Sequence, residues 1–151
     1  MKHLSNPLPE IPVFGTRVPN VDYRYRPSAY ALVINQNRKI AVVRTPVACY
    51  LPGGGMECGE TPEQTVEREG REEGGFVLRS RAHLGRAMEI CYSVEEGLYF
   101  EKDSYFIEAE VVGQATQTEL DHHLLWMTAE QAEQALSHGS HRWAVQRFFS
   151  S

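Results

Sequence analysis

The chain has 151 residues, the size of one ordinary domain, of which 42% are hydrophobic and 23% charged. This composition excludes wholesale disorder, collagen-like repeats and a coiled coil, and the longest apolar run, residues 29–34, is too short to span a bilayer. The net charge of −5 equals the charge of residues 57–73 alone, where seven glutamates accompany two arginines. The remainder is neutral, which argues against double-stranded nucleic acid as a partner.

The N-terminus and the cysteines indicate the compartment in which the protein resides. No apolar stretch follows the N-terminal Met-Lys pair, and the three cysteines are an odd number. We therefore expect reduced thiols in a cytoplasmic protein without a membrane segment. We also expect a single domain over residues 1–151, in which the proline-rich residues 1–27 form an extended arm that can add an edge strand.

The first half of the chain contains the clearest secondary-structure signals. Two apolar runs, residues 29–34 and 39–44, flank a polar turn and predict a β-hairpin. A short strand over residues 48–51 leads into three glycines. A helix is predicted over residues 62–74, because Thr61 can cap it, a proline suits its first position and two glycines end it.

The second half predicts two long strands followed by helices. The strands cover residues 76–93 and 98–112 and are joined through a Glu-Glu-Gly turn. Thr128 begins a capping box that opens a helix ending near residue 137, and a second apolar-faced helix follows over residues 140–149. The whole pattern is that of a mixed sheet with few helices.

The predicted helix over residues 62–74 carries an unusual group of acids. On an α-helix Glu69, Glu72 and Glu73 stand at i, i+3 and i+4, which places three carboxylates on one face. Such a face is either solvated or holds a hard divalent cation, because Mg²⁺ and Mn²⁺ prefer carboxylate oxygens. A solvated face would normally contain lysines at i+4, yet residues 57–73 contain none.

The same segment resembles the Nudix box, G-x5-E-x7-R-E-U-x-E-E-x-G-U, in which U is a bulky aliphatic residue. All seven fixed positions are present at the required spacing: Gly54, Glu60, Arg68, Glu69, Glu72, Glu73 and Gly75. The two U positions depart from the pattern, since they hold Gly70 and Phe76. The side chain missing at Gly70 is expected to leave space beneath the helix, so that Ala or Leu at this position would be tolerated.

The resemblance implies a fold, an activity and a cofactor. Nudix proteins have an α+β fold, an α/β/α sandwich with a mixed sheet, a strand–loop–helix Nudix motif and a C-terminal helix. With Mg²⁺ or Mn²⁺ as cofactor, they hydrolyse a nucleoside diphosphate that is linked to another moiety. By the same resemblance, Glu69, Glu72, Glu73 and the Gly53 carbonyl would bind the metal.

The resemblance also implies catalytic roles. Glu60 and Arg68 would orient the metal-binding carboxylates. The proton of the attacking water would go to Glu72 or to an acid in a later loop, for which Glu119 is our candidate. An ordinary loop acid is an equally good interpretation of Glu119. Weaker rivals for the role are Glu95, Glu96 and Glu101. The histidine pairs at 122/123 and 138/141 are predicted to be surface residues.

The substrate is expected to be a small-molecule nucleotide. Tyr92 lies sixteen residues after Phe76, where a tyrosine resembles the family members that act on dinucleoside polyphosphates. A nucleoside triphosphate is the other candidate. Arg44, Arg86 and Arg26 are candidates for phosphate binding, and Tyr50, Tyr99 and Phe100 for stacking on a base.

Three function classes stay open at the level of the residues. The first is the metal-dependent pyrophosphohydrolase, and the second is a nucleotide-sensing module that binds its ligand without turnover. The third is an interaction protein with an acidic surface helix, which would have no affinity for divalent cations. A homodimer is compatible with each.

Overall fold

The computed structural model of the chain describes residues 11–149, so the first ten residues of the predicted arm lie outside the described part. Within it, Val13–Phe14 forms a short strand, β1, at the edge of a sheet, as the arm was predicted to do. The rest of the arm prediction is wrong, because the next strand, β2, spans Tyr23–Val33 and begins inside the supposed arm. The pairing of β2 with β5 begins only at Ser28, so Pro27 stands where β2 has β7 as its single ladder partner.

Within residues 11–149, eight strands form two sheets. Their bounds after β1 and β2 are, in chain order: β3 Ile40–Arg44, β4 Cys49–Tyr50, β5 Gly53–Gly55, β6 Phe76–Ser93, β7 Leu98–Gln114 and β8 His123–Met127. The larger sheet has the order β1-β6-β7-β2-β5 and the smaller one β4-β3-β8. The larger sheet is mixed, since β2 runs parallel to β7 but antiparallel to β5.

The predicted hairpin between residues 29–34 and 39–44 is not formed. Both edges of β2 are already paired, with β5 and β7, and β3 pairs with β4 and β8 in the other sheet. Only an isolated bridge between Ile34 and Ile40 links the two runs. The apolar runs were therefore assigned correctly as strands, but a short polar turn does not determine which strands pair.

The helix after β5 begins as predicted and ends differently. Helix α1 covers Pro62–Glu69 and opens with a capping box in which Thr61 and Gln64 satisfy each other's backbone amides. The chain then widens into a π-helical turn over Gly70–Gly74, so the prediction of an uninterrupted α-helix to Gly74 is wrong. Wide turns of this kind occur mostly as single turns within helices and are frequent at functional sites.

Gly70 does not leave the space that the sequence suggested. A Cβ atom at Gly70 would lie 2.8 Å from Cδ1 and 2.9 Å from Cγ of Leu78, and 3.4 Å from the Phe76 ring. Strand β6 therefore fills the position of the missing side chain. The expectation that a larger residue would be tolerated here is wrong, because it would displace buried side chains.

Two further helices follow β8. Helix α2 covers Ala129–Ala135 with the predicted capping box at Thr128, and helix α3 covers Gly139–Phe148. Val66 of α1 packs against one face of the large sheet, in a core that includes Ala31 and Ile107. Residues of α2 and α3 pack with Tyr30 and Phe106 on the opposite face of the larger sheet. This sandwich confirms the predicted α+β class.

Candidate functional site

The α1 segment is fixed to the loop before it by a charge pair between Glu60 and Arg68. The guanidinium donates to both carboxylate oxygens of Glu60, from Nε at 2.7 Å and from a terminal nitrogen at 3.0 Å. Glu60 also accepts from the Glu57 amide and the Thr65 hydroxyl, each at 2.8 Å. Arg68 lowers the pKa of Glu60 to about 2, so this carboxylate is ionised at neutral pH.

The remaining donors of Arg68 reach the carboxylates predicted to bind metal. One terminal nitrogen lies 2.6 Å from Glu69 Oε1 and 3.1 Å from Glu72 Oε1. The other donates to the Gly55 carbonyl at 3.1 Å. A single guanidinium thus contacts two glutamates and the glycine-rich strand, and the orienting role that the resemblance implies for Arg68 stays a prediction.

Glu73 points toward the glycine-rich strand and is buried. Its Oε1 accepts from the Gly53 amide at 2.9 Å. Gly53 has φ +148°, and a Cβ there would lie 2.1 Å from the Ala29 carbonyl, so only glycine allows this approach. Burial raises the pKa of Glu73 above its ordinary value, which means that the ionised form needs a positive neighbour.

The loop between β7 and β8 brings Glu119 to this group. The Thr118 and Glu119 amides donate to the Glu72 carbonyl at 3.2 and 2.9 Å, which anchors the loop to the π-helical turn. His122 Nδ1 then lies 2.8 Å from Glu119 Oε2 and 3.4 Å from Glu73 Oε2. The interaction with Glu73 raises the pKa of His122 to about 9, so it is a cation at neutral pH. The loop thus places Glu119 beside Glu73 and His122, while its catalytic role stays a prediction.

Two sets of these side chains have the spacing of a metal site. Ligand atoms of Glu69, Glu72 and Glu119 lie within 4.8 Å of one another, as do those of Glu73, Glu119 and His122. Burial, together with the charge of Glu73, raises the pKa of Glu69 well above its ordinary value. Crowded, partly dehydrated carboxylate oxygens suit a hard divalent cation such as Mg²⁺ or Mn²⁺, so the residues present fit the cofactor that the motif implies.

A cavity of about 210 Å³ lies beside the carboxylates. Its lining combines Glu69 and Glu73 with three cations, Arg26, Lys102 and His122, and with the rings of Tyr30 and Tyr50 among others. This volume is below the range of about 300–1,000 Å³ that holds a whole drug-sized ligand, so it would enclose part of a nucleotide. Of the candidates named from the sequence, Arg26 and Tyr50 are placed here.

Five candidate substrate-binding residues do not line this cavity: Arg44, Arg86, Tyr92, Tyr99 and Phe100. Arg44 is exposed at the end of β3. Tyr92 is half exposed, and its ring packs against Tyr99 with the centroids 4.7 Å apart. Arg86 is engaged by the buried Asp103 through two hydrogen bonds of 2.7 Å.

The rival acids are engaged by arginines or lie apart from the carboxylates. Arg26 donates to both oxygens of Glu96 at 2.6 and 2.9 Å. Arg17 binds Glu101 at 2.8 Å. Glu95 lines the cavity, but it does not belong to either set of ligand atoms found among residues 11–149.

Sequence reasoning missed several residues that the fold places at or near the site. His141 is buried, and the Leu51 amide donates to its Nδ1 at 3.1 Å, so the prediction of a surface residue is wrong. His138 is mostly buried as well, and desolvation lowers its pKa to about 3. Lys102 and His122 were also not identified as site residues from the sequence. The alternation of β7 could have assigned Lys102 to the face of Phe100 and Phe106, but no local motif marks it.

No helix in the described part of the chain is long and apolar enough to cross a membrane. This agrees with the short apolar runs noted in the sequence.

The sequence of the chain is similar to a family profile and to two curated proteins. A profile described as NUDIX domain matches residues 24–148. The chain is 38% identical over 58 residues to an ADP-ribose pyrophosphatase of Methanocaldococcus jannaschii, over 35% of this chain and 34% of that protein. It is 32% identical over 78 residues to a putative 8-oxo-dGTP diphosphatase of Bacillus subtilis, over 50% of this chain and 52% of that protein. The matches thus span about a third and about half of these curated relatives.

The fold is likewise similar to a solved structure, that of a MutT protein from Bacillus halodurans. The TM-score is 0.66 with 20% identity, and the alignment covers 83% of each chain. At this identity the likeness establishes the fold alone. The profile match extends over most of the described residues and includes the whole glutamate motif. The chain therefore belongs to the NUDIX family.

Proposed function

We propose that the chain is a hydrolase that uses Mg²⁺ or Mn²⁺ to split a phosphoanhydride bond in a nucleoside diphosphate linked to another moiety. The observation that carries this proposal is the convergence of Glu69, Glu72 and Glu119, whose carboxylate oxygens lie within 4.8 Å of one another. One arginine is shared between Glu69 and Glu72, so the group retains negative charge for a cation.

In this proposal Glu69, Glu72 and Glu73 hold the cation, and the Gly53 carbonyl is a further ligand. The bound cation would neutralise charge that develops on the phosphate oxygens. Arg68 keeps Glu69 and Glu72 in place through its bonds of 2.6 and 3.1 Å.

The chain's own contribution to the chemical step is to hold a water molecule and accept its proton. The water oxygen bonds to phosphorus, the bridging oxygen leaves with the electron pair of the broken bond, and the proton passes to a carboxylate. Glu119 is a candidate for this role because its carboxylate lies within 4.8 Å of those of Glu69 and Glu72, and 37% of its side chain is accessible to water. Glu72, within 4.8 Å of Glu119, is the other candidate.

The substrate in this proposal is a dinucleoside polyphosphate or a nucleoside triphosphate. Arg26 offers a cation and Tyr50 an aromatic ring in the cavity beside the carboxylates. The names of the two relatives, an ADP-ribose pyrophosphatase and a putative 8-oxo-dGTP diphosphatase, support a nucleotide of some kind. The family resemblance of Tyr92 favours the dinucleoside polyphosphate, although Tyr92 lies outside the cavity lining.

A substrate panel tests the proposal. Nucleoside triphosphates, dinucleoside polyphosphates, nucleotide sugars and ADP-ribose are incubated with the protein in Mg²⁺, in Mn²⁺ and in EDTA, and the products are separated by chromatography. We expect cation-dependent cleavage of at least one class and its loss in Glu69→Gln. Glu63→Gln is the matched control, because Glu63 lies on the same helix but contacts His83 instead. Nucleotide binding without product in either cation would contradict hydrolysis and support the nucleotide-sensing alternative.

A further inference from the structure

Lys102 is a half-buried ammonium group in the cavity without an acidic partner. Among residues 11–149 no carboxylate oxygen lies within 4.0 Å of its Nζ. Its side chain lines the same cavity as Glu69 and Glu73. The electrostatic interaction with Tyr30 raises the pKa of Lys102 above its ordinary value, so the group is charged at neutral pH. A charge held partly out of water normally has a partner.

The neighbouring strands do not supply that partner. On one side Lys102 stands directly opposite Arg26 of β2, another cation, whose charge is balanced by Glu96. On the other side it stands opposite Glu89 of β6, but this buried carboxylate accepts from the Ser140 amide at the start of α3, at 2.9 Å. Like charges directly opposite in a sheet are destabilising, so Arg26 does not stabilise a lysine at this position.

The surroundings of the ammonium show what kind of group it could meet. Lys102 Nζ lies 5.8 Å from the centroid of the Tyr50 ring, and that ring also lines the cavity. Tyr30 contributes a second aromatic side chain. An ammonium group has three donors and no acceptor, so the matching ligand atom is an oxygen that carries negative charge or belongs to a carbonyl. An aromatic ring beside it suits a flat ring of the ligand.

We propose that Lys102 binds the substrate by donating to an oxygen of the part of the nucleotide that lies beyond the metal-binding carboxylates. This inference rests on the proposed function, and it names one chemical feature of the substrate. The oxygen is either the carbonyl oxygen of a nucleobase stacked on Tyr50 or a phosphate oxygen. Both sources present the same chemistry to the ammonium, and a matched pair of substrates separates them.

The pair is inosine triphosphate and purine riboside triphosphate, which differ only by the 6-oxygen of the base. Lys102→Met is compared with Lys39→Met, since Lys39 is an exposed lysine in a turn. If the base oxygen is the ligand, kcat/KM of Lys102→Met falls about tenfold or more for inosine triphosphate alone. If a phosphate oxygen is the ligand, kcat/KM of Lys102→Met falls by the same factor for both substrates. Either result supports the proposal, and equal rates for Lys102→Met and Lys39→Met on both substrates overturn it.

Two further measurements keep the test independent of folding and of catalysis. Because Lys102 faces another cation, we expect Lys102→Met to unfold at or above the temperature of the unsubstituted protein, whereas a structural lysine would lower it. Calorimetric binding of the two matching monophosphates in EDTA should show the same loss in Lys102→Met. This binding is measurable even if no substrate is hydrolysed, so failure of the hydrolase proposal and failure of this inference give different results.

Discussion

The strongest prediction about stability concerns the charge of Glu60. Only 16% of this side chain is exposed, and its carboxylate receives two bonds from Arg68. In the folded chain the pKa of Glu60 is lowered from 4.5 to about 2. A shift of that size corresponds to about 3 kcal/mol in favour of the folded state at neutral pH. We therefore expect Glu60→Gln to lower the free energy of unfolding by about 3 kcal/mol.

The pH dependence follows from the direction of the shift. A carboxylate whose pKa is depressed in the folded state stabilises the fold above its unfolded pKa, and this contribution is lost as the pH falls toward the folded pKa. The difference in the free energy of unfolding between the unsubstituted protein and Glu60→Gln should have its full value at pH 7 and less than about half of that value at pH 3. Urea unfolding at both pH values measures it.

Glu57→Gln is the matched control for this experiment. Glu57 lies 3.5 Å from the same arginine, but 67% of its side chain is exposed, so its loss should cost less than about 1 kcal/mol. Equal destabilisation by the two substitutions, or a Glu60→Gln effect that does not change between pH 7 and pH 3, would refute the reasoning.

Three other substitutions test the remaining contacts. Glu73→Gln should lower kcat by about a hundredfold or more; near-normal turnover at low Mg²⁺ would contradict its ligand role. Gly70→Leu should destabilise by about 1–3 kcal/mol in thermal unfolding because it would meet Leu78, whereas Gly113→Ala, with ordinary contacts of 3.7 Å, should not. Arg86→Met should destabilise by about 2–3 kcal/mol at pH 7, and the loss should fade as the pH falls below about 4, because Arg86 holds the pKa of Asp103 below its ordinary value. A loss that is the same at pH 3 would exclude the ion pair as its cause.

Local sequence signals predicted those elements whose cause is local. The N-cap at Thr61 and the capping box at Thr128 each act within a few residues, and each is present in the structure. The pairing of residues 29–34 with 39–44 failed because strand partners depend on distant segments, here β5 and β7.

The glutamate motif could be recognised from the sequence because Glu69, Glu72 and Glu73 follow one another at nearly regular helical spacing. The π-helical turn after Glu69 was not predicted, since the spacing of Glu69, Glu72 and Glu73 fits an uninterrupted α-helix equally well. Lys102 and His122 could not be assigned to the site for a different reason. Their neighbours come from strands and loops that are far apart in the chain, and only the folded sheet places them together.

The retained negative charge of the glutamate group is the claim on which the function depends, and calorimetric titration with Mn²⁺ tests it most directly. The pKa of Glu69 is raised by burial, so a bound cation must displace a proton. Titration in buffers of different ionisation enthalpy should therefore show binding of Mn²⁺ with proton release, and Glu69→Gln should lose both. Absence of binding to the unsubstituted protein, or undiminished binding to Glu69→Gln, would contradict the account.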